Sequence, residues 1–202
     1  RDLDQIHLQG VDAIVHLAAL SDDPMGELDP RLTDTINHRA TVELGEKARD
    51  AGVERFVFSS SCSTYGAANG GELLTETSEF NPVTAYARSK IEAEEGLSAL
   101  ADADFSPVFL RNATAYGASP RIRFGTLVVN NLTGWAMTTG TVRIKSDGTP
   151  WRPLVHVEDI CKAVLGALEA PREVVHNEAF NVGRTDENFQ VKDIAEIVRQ
   201  SV

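Results

Sequence analysis

The chain has 202 residues, 42% of them hydrophobic, with 19 basic against 30 acidic side chains and a formal charge of −11. That supplies enough apolar material for a sizeable core, and one domain is the default at this length. The acidic balance disfavours nucleic acid and anionic membrane as partners, and no apolar stretch reaches the roughly 20 residues that span a bilayer.

The first element is VDAIVHLAA at 11–19, a β-branched apolar run that reads as a buried strand. Ile36, Ala40, Leu44 and Ala48 then recur at helical spacing, which predicts a helix over 33–52 with Gly52 as its stop. VERFVFSS at 53–60 is the next strand, and the Gly, Asn and Pro of 67–83 predict a surface loop. A helix follows over 84–101 with Thr84 as its cap, then a strand over 105–112. The spacing predicts a helix over 126–140 and a short strand over 141–146 that ends at the Asp147-Gly148 turn. The last elements are a helix over 157–170 ended by Pro171, a strand over 178–183 and a helix over 190–200. Continuously apolar strands alternating with helices predict an α/β fold with a mainly parallel sheet covered on both faces. From about residue 114 the strands weaken and polar stretches lengthen, which suggests a smaller lobe beside the sheet.

The chemistry centres on two stretches. TAYARSK places Tyr86 and Lys90 four residues apart, so on a helix both leave the same face. A free tyrosine has a pKa near ~10 and is a poor base at neutral pH. Moving it to ~7 takes about 4 kcal/mol, which a fixed ammonium and a nicotinamide cation can supply together. The phenol can then take a proton from an alcohol and return it. Tyr-x-x-x-Lys alone also describes a solvated helix face. FSSSCSTYG adds Ser61, which ends a strand 25 residues before Tyr86 and can orient a substrate oxygen. The competing reading of these hydroxyls is a turn that caps the next element.

The stretches VDAIVHLAA, INHRAT, AGVERFVFSSSCSTYG, YARSK, LRNATAYG, VVNNL, WRPLVHVEDI and FNVG occur in one order along most of the chain. Together they resemble the extended short-chain dehydrogenase/reductases, in particular the NAD-dependent epimerase/dehydratase group that acts on nucleotide sugars. The resemblance implies a Rossmann-type doubly wound sheet, with residues 1–113 as a partial dinucleotide-binding core. Residues 114–202 would form a smaller C-terminal substrate lobe and return to the core. It implies Ser61, Tyr86 and Lys90 as the catalytic set. It implies Leu17, Ala18, Ala19, Asn37, Ser59 and Ser60, with Tyr86 and Lys90, as the cofactor-binding set. Thr114, Asn131 and Arg152, with Ser61, are implied at the substrate, Arg152 as a guanidinium fork for the diphosphate. NAD is the implied cofactor and a nucleotide sugar the implied substrate, with a homodimer through the helices flanking the sheet.

The departures shape the expectation. The glycine-rich phosphate loop does not occur in these residues, so the first βαβ unit is expected upstream of Arg1. The acidic residue that selects NAD over NADP would lie there too, which leaves NADP open. Dehydratases of the group carry an Asp-Glu pair where this chain has Cys62 and Ser63, so epimerisation is expected over loss of water. A dehydrogenase, reductase or decarboxylase would use the same set, and a non-catalytic dinucleotide-binding fragment is the alternative outside catalysis. No histidine pair has metal-ligand spacing, so no metal is expected. Two cysteines, Cys62 and Cys161, make no disulfide framework and point to a reducing, cytoplasmic setting.

Overall fold

The computed structural model describes residues 3–66, 73–122 and 124–202. Part of the expected loop, 67–72, lies outside them. The chain runs β1 (Ala13–His16), α1 (Asp23–Gly26), α2 (Pro30–Thr33), a π-helical segment (Asp34–Arg39) and α3 (Ala40–Asp50). It continues through β2 (Arg55–Ser61), a 3-10 turn (Cys62–Tyr65), α4 (Ala85–Ser98), β3 (Ser106–Asn112), β4 (Thr114–Tyr116) and α5 (Val128–Thr139). The remaining elements are β5 (Trp151–His156), α6 (Val157–Glu169), α7 (Arg172–Val175), β6 (Glu178–Val182), β7 (Asn188–Gln190) and α8 (Val191–Ser201).

β1, β2, β3 and β6 form a four-stranded sheet in that order, and every pairing is parallel. Alternation along β2 divides its side chains between two apolar layers. Phe56 and Phe58 join Leu44, Ala48, Ala93, Leu97, Phe105 and Phe109 beneath α3 and α4. Val57 joins Val108, Leu110, Ala167, Val175 and Val182 beneath α6 and α7. A strand buried on both faces has to be apolar throughout, and that is the run seen in the sequence. This is the α/β, Rossmann-like arrangement.

A second sheet, β4-β5-β7, joins β4 to β5 in parallel and β5 to β7 antiparallel. Leu132 and Ala136 of α5 pack there with Leu154 and with Ile194, Ala195 and Val198 of α8. The expected strand over 141–146 does not form. Val142 and Ile144 pack against this third core as loop residues, so their alternation reflects anchoring and not pairing. The strand in this region is β5, which Pro153 and the polar Trp-Arg start disguise. The helix expected over 33–52 also begins differently. Asp29 caps α2 through its side chain, and a π-helical segment intervenes before α3. Gly52, at φ 82, supplies the left-handed turn after α3.

Candidate functional site

α4 is fixed at its start by Thr84, whose hydroxyl oxygen accepts from the Ala87 amide at 3.1 Å. The same hydroxyl donates to Asp23 at 2.6 Å, and the Ala85 amide donates to Glu27. α1 can lie this close because Gly26 faces Tyr86: a Cβ at Gly26 would stand 2.9 Å from the Tyr86 Cβ. Along the covered face of α4, Tyr86, Lys90 and Glu94 succeed one another at four-residue steps, all buried.

Opposite them, β2 ends in Ser59, Ser60 and Ser61, in register with Leu110, Arg111 and Asn112 of β3. The Lys90 ammonium donates to the Ser59 carbonyl at 2.6 Å and lies 4.5 Å above the Phe58 ring and 5.7 Å from the Tyr86 ring. The Ser61 side chain stands near enough to the Tyr86 phenol to act on its ionisation, in the lowering direction. Ser61 also accepts from the Ser63 amide at 3.2 Å, so it caps the following turn as well. Lys90 thus joins the buried face of α4, which also carries Tyr86, to the strand end that Ser61 closes.

Burial pushes the Tyr86 phenol up to about 12; the Ser61 side chain opposes this, and Asp23, Asp22 and Cys62 add to it. The lowering expected from Lys90 is not among these influences, and the phenol moves the other way. Burial brings the Lys90 ammonium down to about 8, against the pull of Glu94. Burial, with the Lys90 charge beside it, takes His16 down to about 4. The Cys62 thiol is pushed up to about 12, chiefly by burial, which leaves it inert near neutrality.

The residues expected at a cofactor divide into two kinds. Leu17 and Ala18 are exposed just beyond β1, with Ala19 partly covered. Asn37 is buried, and its amide is spent inside the chain. Its oxygen accepts from the Leu20 amide at 2.8 Å, and its nitrogen donates to the Leu20 carbonyl at 3.1 Å and Ser89 at 3.2 Å. It holds the loop after β1 against α4, so any part it has at a ligand is indirect. The Ser59 hydroxyl accepts from Asn112 at 3.0 Å, and Ser60 donates to Glu94.

Of the residues expected at a substrate, Ser61 ends β2, while Thr114, Arg152 and Asn131 lie on β4, β5 and α5. Thr114 opens β4, opposite Leu154. Asn131, on α5, donates to the carbonyls of Phe124 and Gly125 at 3.1 and 3.0 Å. Arg152 is exposed and donates to the Trp151 carbonyl at 2.7 Å. Sequence reasoning missed Asp22, whose carboxylate accepts from Thr126 at 2.9 Å and so ties the lobe's leading loop to the site. It missed the Glu94–Arg111 ion pair, although an arginine in an otherwise apolar strand needs a buried partner. Elsewhere, Asp34, His38 and Glu92 bring one ligand atom each within 4.8 Å of one another. Arg39 already binds Asp34 there at 2.7 Å.

A family model described as "NAD dependent epimerase/dehydratase family" matches residues 1–183. The chain belongs to the NAD dependent epimerase/dehydratase family. A UDP-glucose 4-epimerase from Erwinia amylovora is 28% identical over 189 residues, which cover 86% of this chain and 56% of that relative. The chain thus spans about half the length of the curated relatives it matches. MoeE5, solved in complex with UDP-glucose and NAD, superposes with a TM-score of 0.86 at 29% identity, over 100% of this chain and 67% of its own. The dTDP-glucose 4,6-dehydratase DesIV of Streptomyces venezuelae, solved with NAD, gives 0.84 at 27% identity over 96% of this chain and 58% of its own. A solved UDP-glucose 4-epimerase of Thermotoga maritima also superposes, with a TM-score of 0.82 at 27% identity over 94% of this chain and 60% of its own, so both a dehydratase and an epimerase share this fold.

The site suits the family's cofactor on its own chemistry. The Asn112 side-chain oxygen, at the end of β3, and the Ser63 hydroxyl, in the turn after β2, are buried without a hydrogen-bond partner among the described residues. Leu17 stands 63% exposed at the adjacent end of β1, where an apolar ligand face can cover it. Among the described residues, no helix is long and apolar enough to cross a membrane.

Proposed function

We propose that this chain is the greater part of the catalytic core of an NAD-dependent nucleotide-sugar epimerase. The observation that supports the reading is one buried face of α4 that carries Tyr86 and sets the Lys90 ammonium 5.7 Å from its ring and 2.6 Å from the Ser59 carbonyl, at the strand end that Ser61 closes. Tyr86 removes the proton of a sugar hydroxyl and later returns it. Ser61 holds that oxygen in line with the phenol, which converts a collision into a fixed approach. NAD, when bound, supplies the acceptor and then the donor of the hydride. Leu17, Ala18, Ala19, Ser59 and Ser60 would line its place, with Lys90 as donor to it and Asn37 bracing the loop from behind.

A phenol held at about 12 is protonated at neutral pH. Lys90 contributes a fixed positive charge on the same face, and a second positive charge from the ligand favours the phenolate further. Thr114, Asn131 and Arg152 would serve the sugar nucleotide, with the exposed Arg152 guanidinium suited to a diphosphate.

Epimerisation is favoured over dehydration by Cys62 and Ser63. Elimination of water needs a proton donor and an acceptor near neutrality. A thiol pushed up to about 12 is neither.

The test is the whole protein with NAD against a panel of UDP- and dTDP-sugars, read by proton NMR for the epimer and for dehydrated product. The expected outcome is an epimer. Tyr86→Phe should remove at least ~100-fold of the turnover, the low end for a general acid–base group, while NAD binding is retained. A Tyr86→Phe protein with undiminished turnover rejects the phenol as base, and accumulation of a 4-keto-6-deoxy sugar rejects epimerisation.

A further inference from the structure

One turn beyond Lys90 lies a carboxylate that the proposed chemistry does not use. Glu94 is 5% exposed. Arg111 of β3 grips it, Nε at 3.1 Å from each oxygen and a terminal nitrogen at 2.6 Å from Oε2. The Ser60 hydroxyl donates to its other oxygen, Oε1. Arg111 has further support of its own. Its remaining terminal nitrogen donates to the Tyr65 hydroxyl at 2.9 Å and the Glu76 carbonyl at 3.0 Å, and the guanidinium lies 4.7 Å from the Phe80 ring centroid.

Stability is a poor reason for such a pair. Exchanging a buried ion pair for apolar side chains of similar volume is often neutral or stabilising. Location gives a better reason. Ser60, the residue Glu94 fastens, stands between Ser59 and Ser61. The first receives the Lys90 ammonium on its carbonyl, and the second closes β2. Glu94 itself follows Lys90 by four residues on the same helix face.

We propose that Glu94 is a positioning residue: its buried carboxylate locks the Ser59–Ser61 strand end to α4 and sets a negative charge one helical turn from the Lys90 ammonium. What that ammonium is used for rests on the epimerase reading; the lock and the charge do not. Lys90 is faced by the Ser59 carbonyl and Phe58 ring of β2, by His16 of β1, and by Tyr86 and Glu94 of its own helix. Arg111 of β3 is paired with Glu94 and is not among the groups acting on Lys90. Glu94 is thus the anionic group acting on Lys90 from among them. Burial drives the lysine toward neutrality, and Glu94 pulls the other way. Removing the carboxylate should therefore lower the pH at which the proton leaves.

The experiment needs no turnover. With 13C-labelled lysine, the Cε resonance of Lys90 is followed against pH and assigned by Lys90→Met. The other lysines, Lys47, Lys145, Lys162 and Lys192, act as internal references. The wild-type midpoint should lie near about 8. Glu94→Gln should lower it by roughly one pH unit, the order expected for loss of an opposite charge one helical turn away. Glu94→Asp should restore most of that, and Ser60→Ala, which spares the carboxylate, should leave it in place. If Glu94→Gln does not fold with Arg111 unpaired, Glu94→Gln with Arg111→Met removes both charges and should still lower the midpoint.

An unchanged midpoint in a folded Glu94 variant overturns the proposal, and so does a wild-type midpoint below pH 7. Should the midpoint shift as expected while no sugar nucleotide is epimerised, the Glu94 assignment stands and the epimerase reading falls. Where turnover is present, the alkaline limb of kcat in Glu94→Gln should move down with the lysine; a fixed limb overturns the functional half of the inference.

Discussion

At the scale of single residues, the site is governed by burial of ionisable groups more than by their mutual attraction. His16 shows this most simply. Its imidazole accepts or donates at Thr41, stacks on Phe58 and lies near the Lys90 charge, and it is held down to about 4. The folded state therefore binds a proton there less readily than the unfolded chain, whose histidine titrates near ~6.5. The associated stability is complete above ~6.5 and is lost as pH falls through that range toward 4. Urea titrations at pH 7 and pH 5 should show a loss of roughly 1–2 kcal/mol from this group. His16→Gln should flatten that part of the slope; an identical slope would place the acid sensitivity elsewhere. Tyr86 and Lys90 were legible in the sequence because four-residue spacing on a helix fixes a shared face. Their protonation was not, because desolvation depends on what covers them. Asn37 likewise stood in a recognisable stretch, but only the fold shows that its amide is consumed by Leu20 and Ser89.

At the scale of elements, α4 and its contact with α1 set the site. Thr84 caps α4 as its sequence position suggested, and Thr84→Ala should cost about 1 kcal/mol of unfolding free energy. Gly26 is the tighter constraint. A methyl group there would stand 2.9 Å from the Tyr86 Cβ and 3.2 Å from its backbone nitrogen, neither of which can swing away. Gly26→Ala should cost about 1–3 kcal/mol by overpacking and displace the phenol. Denaturant unfolding reads the first effect, and a drop in kcat larger than that of Thr84→Ala reads the second. Elements with long periodic patterns, such as 84–101 and 157–170, were legible in the sequence. The 141–146 strand was not, because Val142 and Ile144 alternate like a strand yet find no partner strand. β5 was hidden for the opposite reason: Trp151, Arg152 and Pro153 read as irregular, and only pairing with β4 and β7 makes them a strand.

At the scale of the whole molecule, two apolar layers sandwich the parallel sheet, and a third core builds the lobe around α5 and α8. The lobe's leading loop is fastened to the site by the bond from Thr126 to Asp22. If the lobe carries the sugar nucleotide, Thr126→Val should raise KM several-fold with kcat little changed. Steady-state kinetics with the preferred sugar nucleotide check this, and a pure loss of kcat would contradict it. The linear chain determined its α/β class, the apolar strands and the helix face that pairs Tyr86 with Lys90. Those follow from side-chain periodicity, which is local. Only the folded molecule decided how Lys90 reaches the end of β2, which carboxylates crowd the phenol and how Arg111 is neutralised. These depend on contacts between residues far apart in sequence, where distance and exclusion of water set the strength of each charge, and no spacing along the chain records either.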